Sequence, residues 1–333
     1  MLILFLFLFE FVSSGQLLNT TSGIYIGRKV DYRNITVEQY LGIEYGRIRK
    51  RFHRAESIRR ENNQSIINAT SFGPICKPTR SLCTDETTSC SVKYGIFSLN
   101  SSADEQCLFL NVFIPMNNQE KKAIFMWIHG GSSQIGTGNI FDGTIVAALG
   151  NIIVVTFNFR LNLFGFLSSG DQRLEGNLGL YDQSMVLDWI YENSEALGGD
   201  NQRITVGGHS AGAPHAYFLA KSPFNRGRIR RLILQSGCPF NTWSHIKSDQ
   251  AIDRFNVVAH DNQCGMLRTF DEKLECLTKK DYHLLIEHEH PAYISANHTN
   301  VVIHGEFMSQ FQDDLSIEIL MGSNDDEGKI TKE

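Results

Sequence analysis

The stretch Gly208-His209-Ser210-Ala211-Gly212 constrains this chain more than any other. It reads G-x-S-x-G, follows the apolar run Ile204-Thr205-Val206, and opens a helix predicted from Ala211. A serine on a sharp strand-to-helix turn presents its hydroxyl at the C-terminal edge of a sheet. Glycines on either side remove the Cβ atoms that would clash there. Alone the pentapeptide is only moderately specific, because glycine and serine also populate ordinary turns. Its weight comes from the other parts of a catalytic site that occur in order along the chain.

Trp127-Ile128-His129-Gly130-Gly131-Ser132 ends the apolar run Ile124-Phe125-Met126. A strand breaking into consecutive small residues leaves several backbone N–H groups able to point at one spot. Ester cleavage needs such donors, because the carbonyl oxygen becomes an oxyanion. The Ala211 N–H, just after the serine, would converge on the same point. In isolation the segment is a plain glycine turn. Gly322-Ser323-Asn324-Asp325-Asp326-Glu327-Gly328 follows the strand-like Ile317-Glu318-Ile319-Leu320-Met321. A carboxylate at such an edge can orient a histidine and stabilise its imidazolium form. In isolation this segment is a solvated acidic turn.

Further motifs join these: Leu41-Gly42-Ile43-Glu44-Tyr45 with Arg51-Phe52, and Glu105-Gln106-Cys107-Leu108-Phe109-Leu110-Asn111-Val112. Asn158-Phe159-Arg160 and Gly165-Phe166-Leu167 are followed by Gly176-Asn177-Leu178-Gly179-Leu180-Tyr181-Asp182-Gln183 and then Ile233-Leu234-Gln235-Ser236-Gly237. On these residues the chain resembles the type-B carboxylesterase and cholinesterase family, an α/β-hydrolase group, over nearly everything after the first two dozen residues. The resemblance implies Ser210 as nucleophile and Glu327 as triad acid. It implies an oxyanion hole from the N–H groups of Gly131, Ser132 and Ala211, with Gly130 beside them. The implied substrate is a small-molecule carboxylic ester, and no cofactor is called for.

In this family the triad histidine follows the acid by a long stretch, and no histidine lies between Glu327 and Glu333. Without a base in reach, a serine hydroxyl is a poor nucleophile at neutral pH. Of the 11 histidines, His209 adjoins the serine, His129 belongs to the glycine turn, and His288 and His290 lie in a polar segment. None is a natural replacement base. The expectation is a chain that lacks the C-terminal part of the fold and is inactive alone, and His304 to Gly322 also looks shortened against the family.

Two departures bear on activity. Ser132 stands where family esterases carry glycine, and its Cβ restricts the backbone of the oxyanion turn. His209 stands where they carry glutamate, which removes an anion beside the nucleophile. The run from Gly131 to Gly143 is similar to neuroligins, adhesion relatives that keep the fold and lack the serine. Ser168-Ser169-Gly170-Asp171 fits the same branch. The alternatives to an esterase are therefore a catalytically silent adhesion or binding protein with an extracellular protein partner, and a non-functional truncated product.

The 333 residues are 42% hydrophobic, enough for a core in one large or two small domains. A formal net charge of -5 gives no reason to expect nucleic acid. Arg47 to Arg51 and Arg226 to Arg231 read as solvated faces, with Arg51 a structural ion-pair partner of Glu105. Met1 to Phe9 is apolar, and Phe11-Val12 precede the small residues Ser13, Ser14 and Gly15. This run is shorter than the roughly 20 residues of a membrane span and reads as a signal peptide over residues 1–15. Residues 16–333 would then be an incomplete carboxylesterase domain.

There are seven cysteines. The resemblance pairs Cys76 with Cys107 and Cys264 with Cys276. Cys83 and Cys90 are close enough to staple the excursion between the first pair, and Cys238 remains as a small buried thiol. No cysteine or histidine spacing suits zinc, so no metal is expected. The sequons at Asn19, Asn34, Asn63, Asn68, Asn100 and Asn297 are consistent with an extracellular glycoprotein.

Strands are expected near 108–114, 123–129, 152–158, 203–207, 231–235 and 317–321, with a helix from Asp182 to Ala196 whose Met185, Val186, Trp189 and Ile190 face the core. The alternation argues for a mostly parallel sheet covered on both faces. Residues 61–102 read as a long surface excursion. Between Cys76 and Cys107 there is no tryptophan to stack on a quaternary ammonium, which argues against choline esters. Trp243 is a candidate lining of an acyl pocket.

Overall fold

The computed structural model describes residues 13–60, 65–78, 89–94, 97–117, 120–287, 301–302, 316–325 and 327. Its centre is a ten-stranded sheet. The main path uses β1 (Ser13–Asn19), β2 (Ile24–Tyr32), β3 (Ile35–Glu44), β4 (Phe109–Pro115), β5 (Lys122–Ile128), β6 (Ile153–Phe157), β7 (Gly199–His209), β8 (Arg231–Gln235) and β9 (Glu318–Gly322). In space these run β1-β2-β3-β4-β6-β5-β7-β8-β9. The first four neighbouring pairs are antiparallel, and β6, β5, β7, β8 and β9 are mutually parallel. This is the α/β-hydrolase arrangement expected, with an antiparallel flank on the N-terminal side.

Crossover helices bury the inner parallel strands, whereas the edge strand β9 is exposed at every position. β6 reads Ile-Val-Val-Thr-Phe and is buried at every position. The covering helices are α1 (Thr144–Gly150), α2 (Asn162–Phe166), α3 (Leu178–Asn193) and α4 (Gly212–Lys221), followed by α5 (Ser248–Asp261), α6 (Phe270–Lys279) and α7 (Tyr282–Glu287). One large apolar cluster runs from Tyr40 and Ile43 through Met126, Val155 and Phe157 to Leu187, Val206 and Leu219. A satellite cluster of Phe52, Phe164, Leu167, Phe255 and Leu277 sits beneath α5 and α6.

The helix expected over 182–196 starts a turn earlier, at Leu178, after Asn177 in a left-handed conformation at φ 54°. Asp182 does not begin the helix. It lies inside it, and its carboxylate is taken by a buried ion pair with Arg160, whose Nε and Nη2 lie 2.8 and 2.6 Å from the two oxygens. Val186, Trp189 and Ile190 are buried, and Met185 packs partly exposed against the same cluster.

Residues 61–102 are not a surface excursion throughout. Ala69, Ile75 and Cys76 are core, and a strand over 75–76 pairs with one over 97–104, which also pairs with 89–94. Packing against Phe109 and the Cys107 bridge draws this segment inward. The Cys76–Cys107 and Cys264–Cys276 disulfides are present. The Cys83–Cys90 pairing falls on Cys83, outside the described residues. Cys238 is a free thiol but is partly exposed rather than buried, because the strand ends at Gln235 and the chain turns out along a cleft. Arg51 pairs with Glu105 as expected and also caps the carbonyls at the end of α6.

Most of the N-terminal segment read as a leader lies outside the described residues, and Ser13 to Gly15 begin β1. Asn63, Asn297, His288 and His290 are also outside, as is most of 304–322. Asn19, Asn34 and Asn68 are exposed. Among the described residues no helix is long and apolar enough to cross a membrane.

Candidate active site

β7 carries the glycine-serine pentapeptide out of the centre of the parallel sheet, flanked by β5 and β8. The turn into α4 is tight. A Cβ on Gly208 would lie 2.0 Å from the Gly212 carbonyl oxygen, and one on Gly212 would lie 2.3 Å from that of Ile128. Only glycine fits at these two positions, so they close the elbow. Ser210 between them sits at φ 52°, the left-handed region that costs an L-residue about 1–2 kcal/mol. Its N–H donates to Gln235 O at 2.8 Å and its carbonyl accepts from Ala213 N at 3.0 Å, so strand and helix both fix the strained residue. α4 starts one residue later than predicted, with Ala211 as its N-cap. Among the described residues the Ala211 N–H donates to no backbone carbonyl, as expected of a first helical donor.

The second donor segment follows β5. Gly131, Ser132 and Ser133 have φ of 109°, 55° and 58°. The turn closes on the Gly131 carbonyl, which accepts from Gln134 N at 2.9 Å and from Ile135 N at 3.0 Å. Ser132 thus adopts the left-handed backbone despite its Cβ, so the serine does not abolish the turn. The turn begins three residues after Ile128, which is in register with Gly208 on β7.

Glu327 follows β9 at the adjoining end of the parallel strands. Its Oε1 accepts from Ser236 Oγ and, at 2.9 Å, from Asn324 N. These bonds hold its carboxyl below the usual carboxylate range, the Ser236 hydroxyl contributing most. Ser236, the partner of Glu327, was assigned no role from the sequence. It lies in the quoted Gln235-Ser236-Gly237, where only the tertiary pairing of β8 with β9 gives it a partner.

His209 is half-buried. Burial lowers its pKa, and the Glu327 carboxylate opposes that shift. His129 is buried under the glycine turn, stacked on Phe159 with ring centroids 4.5 Å apart and with Nδ1 2.8 Å from Gly130 O. Burial pushes it down to about 4, so it is neutral and structural. Among the described residues no imidazole hydrogen-bonds the Ser210 hydroxyl. A cleft of about 730 Å³ opens at the ends of β8 and β9. Ser236, Cys238, Trp243, Met321 and Glu327 line it, and Gly237 packs it against the Ser210 backbone. Trp243 is therefore on the same rim as the acid. Among the described residues no cluster of three His, Cys, Asp or Glu side chains is arranged to hold a metal ion.

Residues 14–333 match the model described as Carboxylesterase family. The chain is 31% identical to neuroligin-3 of Mus musculus, in a match covering 88% of this chain and 39% of neuroligin-3. It is 34% identical to neuroligin-2 of Mus musculus, over 67% of this chain and 30% of that protein. It is 41% identical to bile salt-activated lipase of Mus musculus, over 44% of this chain and 26% of the lipase. The chain thus spans well under half the length of these relatives.

Proposed function

The chain belongs to the carboxylesterase family, and from that premise we propose that it carries the nucleophile, acid and oxyanion donors of a serine carboxylic-ester hydrolase. Ser210 Oγ attacks the carbonyl carbon of a small-molecule ester while its proton passes to a base. The N–H groups of Gly131, Ser132 and Ala211 stabilise the resulting oxyanion. The alcohol leaves, an acyl group remains on Ser210, and water then releases the acid. Glu327 orients the imidazole that accepts the proton. The single observation that supports this most is the left-handed Ser210 at the carboxyl end of a central strand, a strained geometry of the kind stored at functional sites.

The base is not one of the described imidazoles. In the family order of serine, acid and histidine that base follows Glu327. Without that base Ser210 is a poor nucleophile toward esters. Fluorophosphonate labelling tests this directly. The chain alone labels no faster than its Ser210→Ala variant, and added imidazole, acting as an external base, accelerates labelling of the parent only. No acceleration of the parent over Ser210→Ala by imidazole would sink the esterase reading.

A second reading, a catalytically silent binding protein with an extracellular protein partner, is favoured by one comparison. The neuroligin-3 match covers 88% of the chain and the lipase match 44%. Ser132 and His209 fit it too. Secretion behind a leader over residues 1–15, a carboxylesterase domain over 16–333, and glycans on the sequons belong to either reading. The two disulfides and the exposure of Asn19, Asn34 and Asn68 support an oxidising, extracellular setting.

A further inference from the structure

Beneath the oxyanion turn lies a chain of three polar side chains that the ester mechanism does not use. Gln183 on α3, His215 on α4 and Ser133 in the turn after β5 are 0%, 2% and 5% exposed. His215 Nδ1 lies 3.0 Å from Gln183 Nε2, and its Nε2 lies 3.1 Å from Ser133 Oγ. The Gln183 amide donates to Nδ1, so the ring proton sits on Nε2 and donates to Ser133.

The order serine, imidazole, amide has the form of a catalytic triad, but the chemistry is wrong for one. Burial, with His129 nearby, pushes the His215 imidazole down to about 3, far too weak a base to take a hydroxyl proton at neutral pH. Ser133 is also closed off from a substrate. The arrangement suits a different task. Two successive serines, Ser132 and Ser133, hold left-handed backbone that residues with a Cβ adopt only when their surroundings over-determine it. Ser133 is gripped at two points: its carbonyl accepts from Asn162 N at 2.6 Å, and its hydroxyl meets His215. His215 itself, five residues after the nucleophile, rides on α4, whose N-cap is Ala211, between the rings of Phe159 and Phe166.

We propose that His215 is a positioning residue, whose Nε2–Ser133 hydrogen bond ties the helix carrying the Ala211 N–H to the turn carrying the Gly131 and Ser132 N–H groups. The two halves of the oxyanion site are thereby held at a fixed separation, and Gln183 sets the tautomer that makes the bond. The purpose of this device rests on the ester-hydrolase reading; its test does not.

The test is residue-resolved hydrogen exchange on the full chain. The reporters are the Gln134 and Ile135 amides, which close the turn on Gly131. Ser133→Ala, a small change that should not prevent folding, speeds their exchange about tenfold, while the α3 amides of Val186 and Leu187 stay as they are. His215→Phe, which keeps a ring but loses both bonds, has the same effect. His215→Gln, whose amide can still donate to Ser133, restores protection close to the parent's. Ring nitrogen shifts report the Nε2–H tautomer between about pH 5 and pH 8. Unchanged Gln134 and Ile135 exchange in Ser133→Ala, equal loss in the Phe and Gln variants, or a proton on Nδ1 would each overturn the proposal. Failed imidazole rescue of Ser210 labelling would leave a positive exchange result standing. Successful rescue with unaltered exchange would sink this inference alone.

Discussion

Ser210 and Glu327 follow two parallel strands, β7 and β9, that flank β8, but they are held by different physics. β7 runs between two other strands and α4 packs against it, so Ser210 is fixed by backbone bonds to Gln235 and Ala213 and by contacts that leave no room for a Cβ at Gly208 or Gly212. β9 ends the sheet order and pairs with β8 alone among the described residues. Its Ile319, Leu320 and Met321 are 46%, 67% and 54% exposed. Glu327 is located by two hydrogen bonds at the rim. Burial therefore determines the geometry of Ser210, and polar contacts open to water determine that of Glu327. The first should resist changes of solvent, and the second should answer to them.

The contrast breaks most visibly in the frame of the nucleophile side. Asp182→Ala leaves the Arg160 guanidinium buried without its carboxylate, and we expect a loss of about 3–5 kcal/mol in urea unfolding. If the loss were under 1 kcal/mol, the buried frame would not be what fixes this side. Next in size is a comparison across one sheet ladder. Leu232→Ala on β8, at 1% exposure, is expected to cost about 2–5 kcal/mol. Leu320→Ala on the adjacent β9 is expected to stay within about 0.5 kcal/mol. Similar costs at the two sites would mean that β9 is buried in solution.

A smaller effect probes the strain at the elbow. Ser210→Gly removes the Cβ from a left-handed residue, so its midpoint in the same denaturation should equal or exceed the parent's, by up to about 1 kcal/mol. A clear fall would show that the Ser210 backbone is not strained. The smallest change concerns the acid. Its folded carboxyl titrates below its ordinary value of 4.5. The stabilisation from its two bonds is thus present above that ordinary value and lost as pH falls through the lower folded one. Carboxyl carbon shifts should show the Glu327 midpoint moving up toward 4.5 in Ser236→Ala, because the Ser236 bond lowers it most. An unmoved midpoint would remove Ser236 from the acid's environment.

Much of this was legible in the chain because it is local. Glycines flanking a serine after an apolar run describe a turn that few backbones can make, and the six expected strands lie within a few residues of the observed ones. The spacing of Val186, Trp189 and Ile190 announced a buried helix face, though not its start. Asp182 looked like a beginning only because its ion-pair partner, Arg160, is 22 residues away. Cys238 looked buried because it follows the apolar run of β8, and a chain's exit from a strand is invisible to composition. The sequence assigned no individual role to Ser236, Gln183, Ser133 or His215. Each owes its role to a partner brought near by the sheet, 91 residues distant for Ser236 and 82 for the Ser133–His215 pair. Sequence by itself determined the family, the elbow and the strands, since these depend on φ restrictions and hydrophobic periodicity within a few residues. Only the tertiary structure decided which polar groups meet, because a hydrogen bond needs atoms within about 3 Å and the chain's own connectivity does not supply that proximity.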